Sequence, residues 1–423
     1  MARRSLMTRR DVMIGTGALL AGCRSGGASL PGDAPVCPPT AEPGRGLWLK
    51  IGGEDVIRTF TGRQPVNPSP RQRDAWKASD AVVSWSSRLR DFGPSDPFRV
   101  ASISKLAVAE TARVLAAEGR IDPDADVSPL IPGGLAHPAF PGKPITLTHL
   151  LAHLSGVVDP ARYWVPAPGS IKDVLGPELF DPAAEPGRYF RYANLNYGLA
   201  ATAMEAATGE RFDRLATAHA LAPLDVEAGF NWSGVTPEAK RRGATLYRGG
   251  VAEGCPAWAP QVDAPDDLHD PAPSVLMDEG ADLATYRPGT NGTLFSPQGG
   301  LRTSFAGLMA MGEAWLLRPG MRTPLWDAST HPGDTADGHF VAFGRGHYIY
   351  PPERSPIPGV ALVGHVGEAY GFYGGLWAAP DHDAVFSFGT LGSPESGIPM
   401  TGGSPNLRES NAAFFAEVAP HLS

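Results

Sequence analysis

The stretch around Ser102 and Lys105 constrains this chain more than any other feature. Both residues belong to the run Phe98-Arg99-Val100-Ala101-Ser102-Ile103-Ser104-Lys105, which opens a segment with helically spaced apolar residues. Helical residues three apart share one face. A serine hydroxyl becomes a good nucleophile when a neighbour takes its proton, and a buried lysine with a lowered pKa can do so. The spacing therefore predicts a nucleophile and its base, and a surface helix that carries the pair by chance is the alternative.

The N-terminus has the features of a targeting segment. Arg9 and Arg10 precede the apolar run Val12–Ala21, which is shorter than the ~20 residues that span a bilayer. Twin arginines before such a run indicate a twin-arginine export signal. The sequence Leu20-Ala21-Gly22-Cys23 resembles a bacterial lipobox, which predicts lipidation of Cys23. An ordinary secretory signal with an incidental cysteine is the alternative.

These features divide the chain into three parts. We predict a twin-arginine lipoprotein signal over residues 1–22, a tether rich in Gly, Pro and Ala over residues 23–45, and one folded domain over residues 46–423. If the lipobox cysteine carries lipid, Cys37 and Cys255 remain. An oxidising compartment permits these two cysteines to form a disulfide, and two free thiols are the alternative.

Composition and charge narrow the classes of partner. Gly 51 and Pro 43 among 423 residues predict many turns and long loops, while a hydrophobic share of 42% permits a real core. The formal net charge is −8, without long runs of one sign. Nucleic-acid binding would require a basic face, so no nucleic-acid partner is expected.

Strand-like segments lie at both ends of the domain, and helical segments lie between them. The pattern at Leu47–Ile51, Gly52-Gly53 and Glu54–Thr59 predicts a β-hairpin. Further strands are predicted at 81–85, 360–365, 373–378 and 384–389, helices at about 102–118, 147–153, 198–207, 307–317 and 406–414, and loop over 242–297. This order predicts an α+β fold, in which an antiparallel sheet of N- and C-terminal strands is flanked by helices and an inserted, mostly helical region.

A second chemical motif lies between residues 186 and 197, a stretch dense in polar aromatic residues. Tyr192 and Asn194 place a phenol and an amide two positions apart. The phenol can exchange protons with Lys105 and with a leaving group, and the amide can orient Lys105 or a substrate carbonyl. A structural tyrosine ahead of a helix is the alternative.

The third motif is His365-Val366-Gly367, at the end of a predicted strand. Glycine near a strand end lets a ligand approach the backbone. The sequence His331-Pro332-Gly333 has the same spacing, but its proline removes a backbone donor and its surroundings are typical of a loop. We therefore assign the motif to His365.

Taken together, these motifs resemble those of the serine β-lactamase and penicillin-binding protein superfamily, for which Ser-x-x-Lys is typical. Their order is most similar to the class C β-lactamase branch, which includes D-peptidases, D-aminopeptidases and esterases. The resemblance runs from about Leu47 to Leu391, and it includes two further stretches, residues 145–156 and 297–304.

The resemblance implies a role for each motif residue. Ser102 corresponds to the acylated nucleophile, and Lys105 and Tyr192 to the coupled proton-transfer pair. Asn194 corresponds to the residue that positions Lys105 and the substrate. The oxyanion hole of the family uses the nucleophile's N–H and one just after the third motif, which here is that of Glu368.

One departure from the family pattern bears on the substrate. His365, two positions before Gly367, stands where true class C β-lactamases usually have lysine. Histidine at this point is similar to D-peptidases and D-aminopeptidases. An imidazole there is expected to donate a hydrogen bond to a substrate carboxylate or carbonyl, and to gain charge below about pH 6.5. We therefore expect a serine hydrolase that cleaves an amide or ester, with D-amino-acid substrates as one candidate class. A penicillin-recognising sensor with slow deacylation and a class C-like β-lactamase are the alternatives.

The remaining expectations concern metals, cofactors and location. His149 and His153 lie four apart and could share a metal on a helix, but the resemblance implies structural roles for both, so no metal and no cofactor is predicted. The partner is a small-molecule or peptide substrate, and contact with a membrane runs through the N-terminal lipid. The predicted location is the periplasmic side of a bacterial cell envelope, and the sequence leaves the oligomeric state open.

Overall fold

The computed structural model describes residues 42–65, 89–232, 234–252, 255–261, 283–336, 338–393 and 409–422. The predicted signal, the lipidation site Cys23, Cys37 and the predicted strand at 81–85 lie outside these residues. The proposed pairing of Cys37 with Cys255 and the predicted anchor therefore remain predictions.

In the described residues, nine strands form one sheet in the order β3-β2-β1-β14-β13-β12-β11-β10-β9, and two three-stranded sheets have the orders β15-β6-β7 and β4-β8-β5. The strands are β1 (Glu42–Ile51), β2 (Glu54–Pro65), β3 (Leu89–Asp91), β4 (Phe98–Arg99), β5 (Ala228–Phe230), β6 (Leu246–Ala252), β7 (Cys255–Gln261), β8 (Leu301–Thr303), β9 (Trp326–Asp327), β10 (Ala342–Phe343), β11 (Tyr348–Tyr350), β12 (Leu362–Ala369), β13 (Phe372–Ala379), β14 (Ala384–Thr390) and β15 (Gly392–Ser393).

The main sheet joins the two ends of the domain, which confirms the predicted fold class. The first strand pairs antiparallel with β14, with Leu47 opposite Phe388 and Ile51 opposite Ala384. The predicted hairpin of β1 and β2 is present, and the strands β12, β13 and β14 follow as an antiparallel meander. Apolar and β-branched residues in these segments suit a sheet that is covered on both faces.

Two sequence-based predictions are wrong: the end of the tether and one long loop. The tether was predicted to reach residue 45, but β1 begins at Glu42, and Arg45 already pairs with Thr61 and Thr390. The predicted loop over 242–297 contains β6 and β7, which form an antiparallel pair. Parallel pairing of β15 with β6 adds a third strand, and this long-range pairing overrides the low strand propensity of Gly and Pro in that segment.

The five predicted helices are present with shifted ends, and the sequence analysis missed two short helices, at Phe212–Ala216 and Pro237–Arg241. In the described residues, the α-helices are α1 (Ser104–Ala117), α2 (Leu147–Leu151), α3 (Leu195–Thr208), α4 (Phe212–Ala216), α5 (Pro237–Arg241), α6 (Phe305–Met311) and α7 (Glu409–Val418). A 3-10 turn at Ala101–Ile103 precedes α1, and π-helical turns at Thr217–Leu221 and Gly312–Leu316 extend α4 and α6. No helix of the described chain has the length and apolar character that crossing a membrane requires.

Hydrophobic cores lie on both faces of the main sheet. Successive residues of β13 point to opposite faces, so that Leu376 belongs to the core that contains α1, α3 and α6, and Trp377 to the core that contains Phe414 and Phe415 of α7. Both sheet residues are fully buried. Burial of a large apolar side chain contributes about 1.5–3 kcal/mol, so the two cores hold the strands beside the site in fixed register.

Candidate active site

Ser102 lies in a tight turn between β4 and α1. Ala101 precedes it with a φ of +49°, a left-handed conformation that non-glycine residues adopt rarely. The hydroxyl of Ser104 holds this turn: its Oγ donates to the carbonyl of Ala101 at 2.6 Å and accepts from the N–H of Leu301 at 3.0 Å. The turn leaves Ser102 partly exposed, while Ser104 is fully buried. Strain of this kind concentrates at functional sites.

Lys105 lies one helical turn beyond the serine, as the spacing predicts, and has no exposed surface. Its Nζ is 3.0 Å from Ser102 Oγ, 3.0 Å from Asn194 Oδ1 and 3.0 Å from the backbone oxygen of Gln298. Burial lowers the pKa of Lys105 to about 7, and the negative charge of Asp159 opposes that shift only in part. A large fraction of this amine is therefore neutral near pH 7 and can accept a proton.

The Tyr192 hydroxyl lies on the other side of the serine, 3.4 Å from Ser102 Oγ. Burial raises the pKa of the Tyr192 phenol, so the group keeps its proton at neutral pH. Its ring lies between those of His153 and Phe340, with centroids 4.2 Å and 5.2 Å away. The phenol is thus placed as a proton donor, and the amine of Lys105 is the better base.

Asn194 links the lysine to an acidic residue that the sequence motifs did not identify. Its Oδ1 accepts from Lys105, and its Nδ2 donates to Asp159 Oδ2 at 2.9 Å. Asp159 also accepts from the backbone N–H groups of Asn194 and Leu195, at 2.9 and 2.8 Å. A carboxylate is favourable at this N-terminus of α3, where backbone N–H groups lack helical partners. Asp159 belongs to no motif spacing, which is why the sequence alone did not single it out.

The third motif runs along β12 beside the serine turn. Strand β11 pairs only with Leu362–Gly364 of β12, so residues 365–369 are not covered by β11. A methyl group on Gly367 would overlap the carbonyl oxygen of Val100, which shows how closely β12 approaches the turn that carries Ser102. Side chains alternate along the strand: His365 and Gly367 are buried, and Glu368 is exposed.

The expectation for His365 is corrected by its burial. The imidazole is fully buried against the ring of Tyr348, with centroids 4.6 Å apart. Desolvation and the nearby charge of Lys105 hold its pKa well below 6.5, so it does not gain charge just below pH 6.5. Its Nδ1 is 2.5 Å from the carbonyl of Val366, and its Nε2 has no hydrogen-bond partner among the described residues. The structure places His365 beneath the site, and not on the cavity wall.

A cavity of about 300 Å³ opens in front of the serine. Arg99 lies in its wall, donates from Nε to the carbonyl of Gly299 at 2.8 Å, and stacks over the ring of Tyr370 at 4.2 Å. Ser102, Asn194 and Glu368 also line this cavity, together with the aromatic side chains Tyr163 and Trp164. A cavity of this size and lining suits a small ligand with an apolar or aromatic part.

Neither His149 nor His331 lies in this site. His149 Nδ1 accepts from the N–H of Thr146 in a capping box at the start of α2, and His331 is exposed. No group of three or more metal-binding side chains occurs in the parts of the chain that the structure describes. The sequence motifs did not identify the carbonyl of Gln298 as a partner of Lys105, although residue 298 lies in one of the quoted stretches.

Comparisons with known proteins identify a matching sequence family and solved structures of similar fold. A sequence model of the β-lactamase family matches residues 84–396. The octameric penicillin-binding protein homologue from Pyrococcus abyssi is 18% identical, with 90% of this chain and 74% of that chain covered and a TM-score of 0.60. A D-stereospecific amidohydrolase from Streptomyces sp. is 18% identical, with 89% and 94% covered and a TM-score of 0.56.

A third solved structure is similar to the same degree. The D-amino acid amidase from Ochrobactrum anthropi SV3, complexed with L-phenylalanine amide, is 16% identical, with 90% of this chain and 94% of that chain covered and a TM-score of 0.56. At these identities the likeness shows the fold alone. No curated protein matches this chain.

Proposed function

The chain belongs to the β-lactamase family, and we propose that it is a serine hydrolase that cleaves D-aminoacyl amides, peptides or esters through an acyl-enzyme on Ser102. The contact between Lys105 and Ser102 is the observation that carries the proposal. The two reacting atoms are 3.0 Å apart, and the pKa of about 7 matches a general base that works near neutral pH.

Acylation follows from the order of these groups. Neutral Lys105 takes the proton of the Ser102 hydroxyl while Oγ attacks the substrate carbonyl. The backbone N–H groups of Ser102 and Glu368 stabilise the oxyanion. In oxyanion holes of this kind each donor raises kcat by about a hundredfold or more. The Tyr192 hydroxyl then protonates the leaving nitrogen or oxygen and regains a proton from the Lys105 ammonium. The bond to the leaving group breaks, and the serine ester remains.

Deacylation uses Lys105 again as the base. A water molecule takes the place of the leaving group, the neutral amine of Lys105 removes its proton as the water attacks the ester, and the tetrahedral intermediate expels Ser102 Oγ, which takes that proton back. The water supplies the hydroxyl of the product acid and the hydrogen that restores the serine. The close set of Ser102, Lys105, Tyr192 and Asn194 supports this cycle because each group is within reach of the next.

Two observations support the substrate class. The family pattern has a lysine where this chain has His365, whose lowered pKa leaves the imidazole neutral, so this position lacks the cation that helps to bind a β-lactam carboxylate. The cavity of about 300 Å³ has aromatic walls that accommodate a small side chain. Solved structures with the same fold include a D-stereospecific amidohydrolase and a D-amino acid amidase, which agree with a D-aminoacyl substrate.

The test has two stages. A fluorophosphonate probe should label the purified protein, with the modified peptide mapped to Ser102 by mass spectrometry, and Ser102→Ala should not be labelled. Ser170→Ala is the control, because Ser170 hydrogen-bonds elsewhere, to the carbonyl of Thr290. Labelling that persists in Ser102→Ala would contradict the nucleophile assignment.

The second stage identifies the reaction. D-Alanine p-nitroanilide, its L enantiomer, a p-nitrophenyl acyl ester and nitrocefin are compared under multiple turnover. We expect faster turnover of the D than of the L anilide, clear ester hydrolysis and weak nitrocefin hydrolysis. A burst of one equivalent without turnover on every substrate would favour the sensor. Nitrocefin hydrolysis near the ceiling of ~10⁸ M⁻¹s⁻¹ would favour a β-lactamase.

We also propose that the enzyme is anchored by lipid on the periplasmic side of the cell envelope. The twin arginines and the lipobox-like sequence that ends at Cys23 support this location. An alkynyl fatty acid supplied to producing cells should label the wild-type chain and not Cys23→Ala. Equal labelling of both, or release of the wild type without detergent, would overturn the anchor.

A further inference from the structure

His153 contacts the segment that carries Tyr192 at three points. Its ring stacks on that of Tyr192, with centroids 4.2 Å apart and planes inclined by 29°. Its backbone carbonyl accepts from the N–H of Arg191 at 2.9 Å, and its Nδ1 accepts from the N–H of Ala193 at 3.1 Å. One residue therefore holds the peptide before the tyrosine, the phenol ring itself and the peptide after it.

The backbone around His153 is fixed for these contacts. Its φ is +58°, a left-handed conformation that a non-glycine residue keeps only where its surroundings hold it. The N–H of His153 donates to the carbonyl of Leu150 at 3.3 Å, and the next N–H, of Leu154, donates to the carbonyl of His149 at 2.8 Å. The end of α2 thus sets the position of His153, and His153 sets that of residues 191–193.

The imidazole acts as a neutral group. It has no exposed surface, and burial together with the charge of Lys105 holds its pKa well below 6.5. Because Nδ1 accepts the hydrogen bond from Ala193, we assign the single ring proton to Nε2. A neutral ring beside Lys105 leaves the acid–base work to Lys105 and Tyr192.

We propose that His153 is a positioning residue that fixes the Tyr192 hydroxyl for proton donation to the leaving group, an inference that rests on the proposed acyl-enzyme function. Phe340 covers the other face of the Tyr192 ring and restricts its tilt, but a stacked apolar ring leaves the phenol free to slide in its own plane. The two backbone contacts of His153 prevent that slide. A misplacement of about 1 Å at a reacting group can cost on the order of a hundredfold in rate.

The proposal predicts a dependence on the leaving group. An anilide or alkyl amide leaves only after its nitrogen is protonated, so its cleavage needs the Tyr192 hydroxyl in place. A p-nitrophenolate leaves without a proton, so its release depends on Ser102 and Lys105 and much less on Tyr192. Loss of positioning should therefore slow amide cleavage more than ester cleavage.

The experiment compares two substitutions that remove different contacts. His153→Asn tolerates the left-handed φ and keeps a side-chain acceptor, but it removes the ring. His153→Phe keeps a ring to stack on Tyr192, but it removes the acceptor for Ala193. His149→Asn, in the helix that precedes His153, is the matched control, and Tyr192→Phe sets the maximum effect. For each protein, kcat and KM are measured on D-alanine p-nitroanilide and on D-alanine p-nitrophenyl ester, with circular dichroism and Tm as folding checks.

We expect both His153 variants to lose about 10- to 100-fold in kcat on the anilide and less than about 3-fold on the ester, with KM unchanged. His153→Asn combined with Tyr192→Phe should be no slower than Tyr192→Phe alone. Equal losses on anilide and ester in a folded variant would overturn the positioning role. A wild type that fluorophosphonate does not label at Ser102 would instead overturn the proposed function, so the two failures are distinguishable.

Discussion

The Nζ atom of Lys105 lies 3.0 Å from the Oγ atom of Ser102, and this lysine has no exposed surface. The distance permits direct proton transfer, and the burial keeps a large fraction of the amine neutral near pH 7, because it penalises the ammonium form. One geometric fact therefore controls both the reactivity of the serine and the cost of keeping the site folded.

The pH dependence of acylation should report the ionisation of Lys105. Its pKa is lowered by burial to about 7, and only the neutral amine can accept the serine proton. We expect kcat/KM for an acyl ester to rise about tenfold per pH unit below pH 7 and to level off above about pH 8. Lys105→Arg should be inactive across the range, since a guanidinium stays protonated. A flat profile from pH 5 to 9 would show that another group is the base.

The same shift predicts how stability changes with pH. The folded pKa of Lys105 lies below its unfolded value of 10.5, so between about pH 7 and pH 10 the unfolded chain binds one more proton at this residue. The free energy of unfolding should therefore rise with pH in this range, by about 1.4 kcal/mol per pH unit. Lys105→Met should remove this pH dependence and raise the free energy of unfolding most near pH 7. Urea titrations of the wild type and Lys105→Met at pH 7, 8 and 9 measure the difference, and a gap between the two proteins that stays constant with pH would contradict the prediction.

Lys105 and Tyr192 should act as one unit. Both are within hydrogen-bonding distance of Ser102 Oγ, at 3.0 and 3.4 Å, and each returns a proton through the other in the proposed cycle. Lys105→Ala and Tyr192→Phe should each lower turnover of an anilide by about a hundredfold or more. The double variant should be scarcely slower than the worse single one. Kinetics of the four proteins on D-alanine p-nitroanilide test this, and mild, additive losses would show that the two residues work independently.

Sequence patterns predicted the elements that carry chemistry because those elements follow local rules. The Ser-x-x-Lys spacing needs only a helix, and the hairpin of β1 and β2 needs only alternating residues around Gly52-Gly53. The β6 and β7 strands pair locally, with Ala252 opposite Cys255, and were missed because the Gly and Pro residues of that segment have low strand propensity; β15, more than a hundred residues away in sequence, adds a third strand.

Within the site, too, local sequence patterns reveal some residues, and only long-range contacts reveal the others. Asp159 and His153 lie outside the motifs that carry the chemistry, and their importance comes from contacts with residues about 35 to 40 positions later. The charge state of His365 depends on burial by the folded chain, which no spacing in the sequence encodes. Long-range packing therefore sets the protonation states, while local sequence sets the residue types.

Gly367 should be required for the oxyanion hole. A methyl group there would overlap the carbonyl oxygen of Val100, so Gly367→Ala must push β12 away from the turn that carries Ser102. We expect kcat to fall by about a hundredfold, which is the usual effect of losing one oxyanion donor, with a smaller change in KM. Gly93→Ala is the control, because the nearest atom to its new methyl group is at 3.8 Å. Ester hydrolysis by both variants measures the effect, and full activity of Gly367→Ala would show that the strand can shift without cost.

Replacement of His365 by lysine should change both the substrate preference and the pH profile. The neutral, fully buried imidazole offers no charge to a carboxylate, whereas lysine at this point restores the residue of class C β-lactamases. His365→Lys should therefore raise the ratio of nitrocefin to ester hydrolysis.

The second ammonium would also lie near Lys105, and a like charge disfavours protonation of that amine, so the acidic limb of kcat/KM should move below pH 7. His365→Gln is the uncharged control and should leave that limb in place. The hypothesis about the third motif would be wrong if His365→Lys folded normally and showed the wild-type substrate ratio together with an unmoved acidic limb.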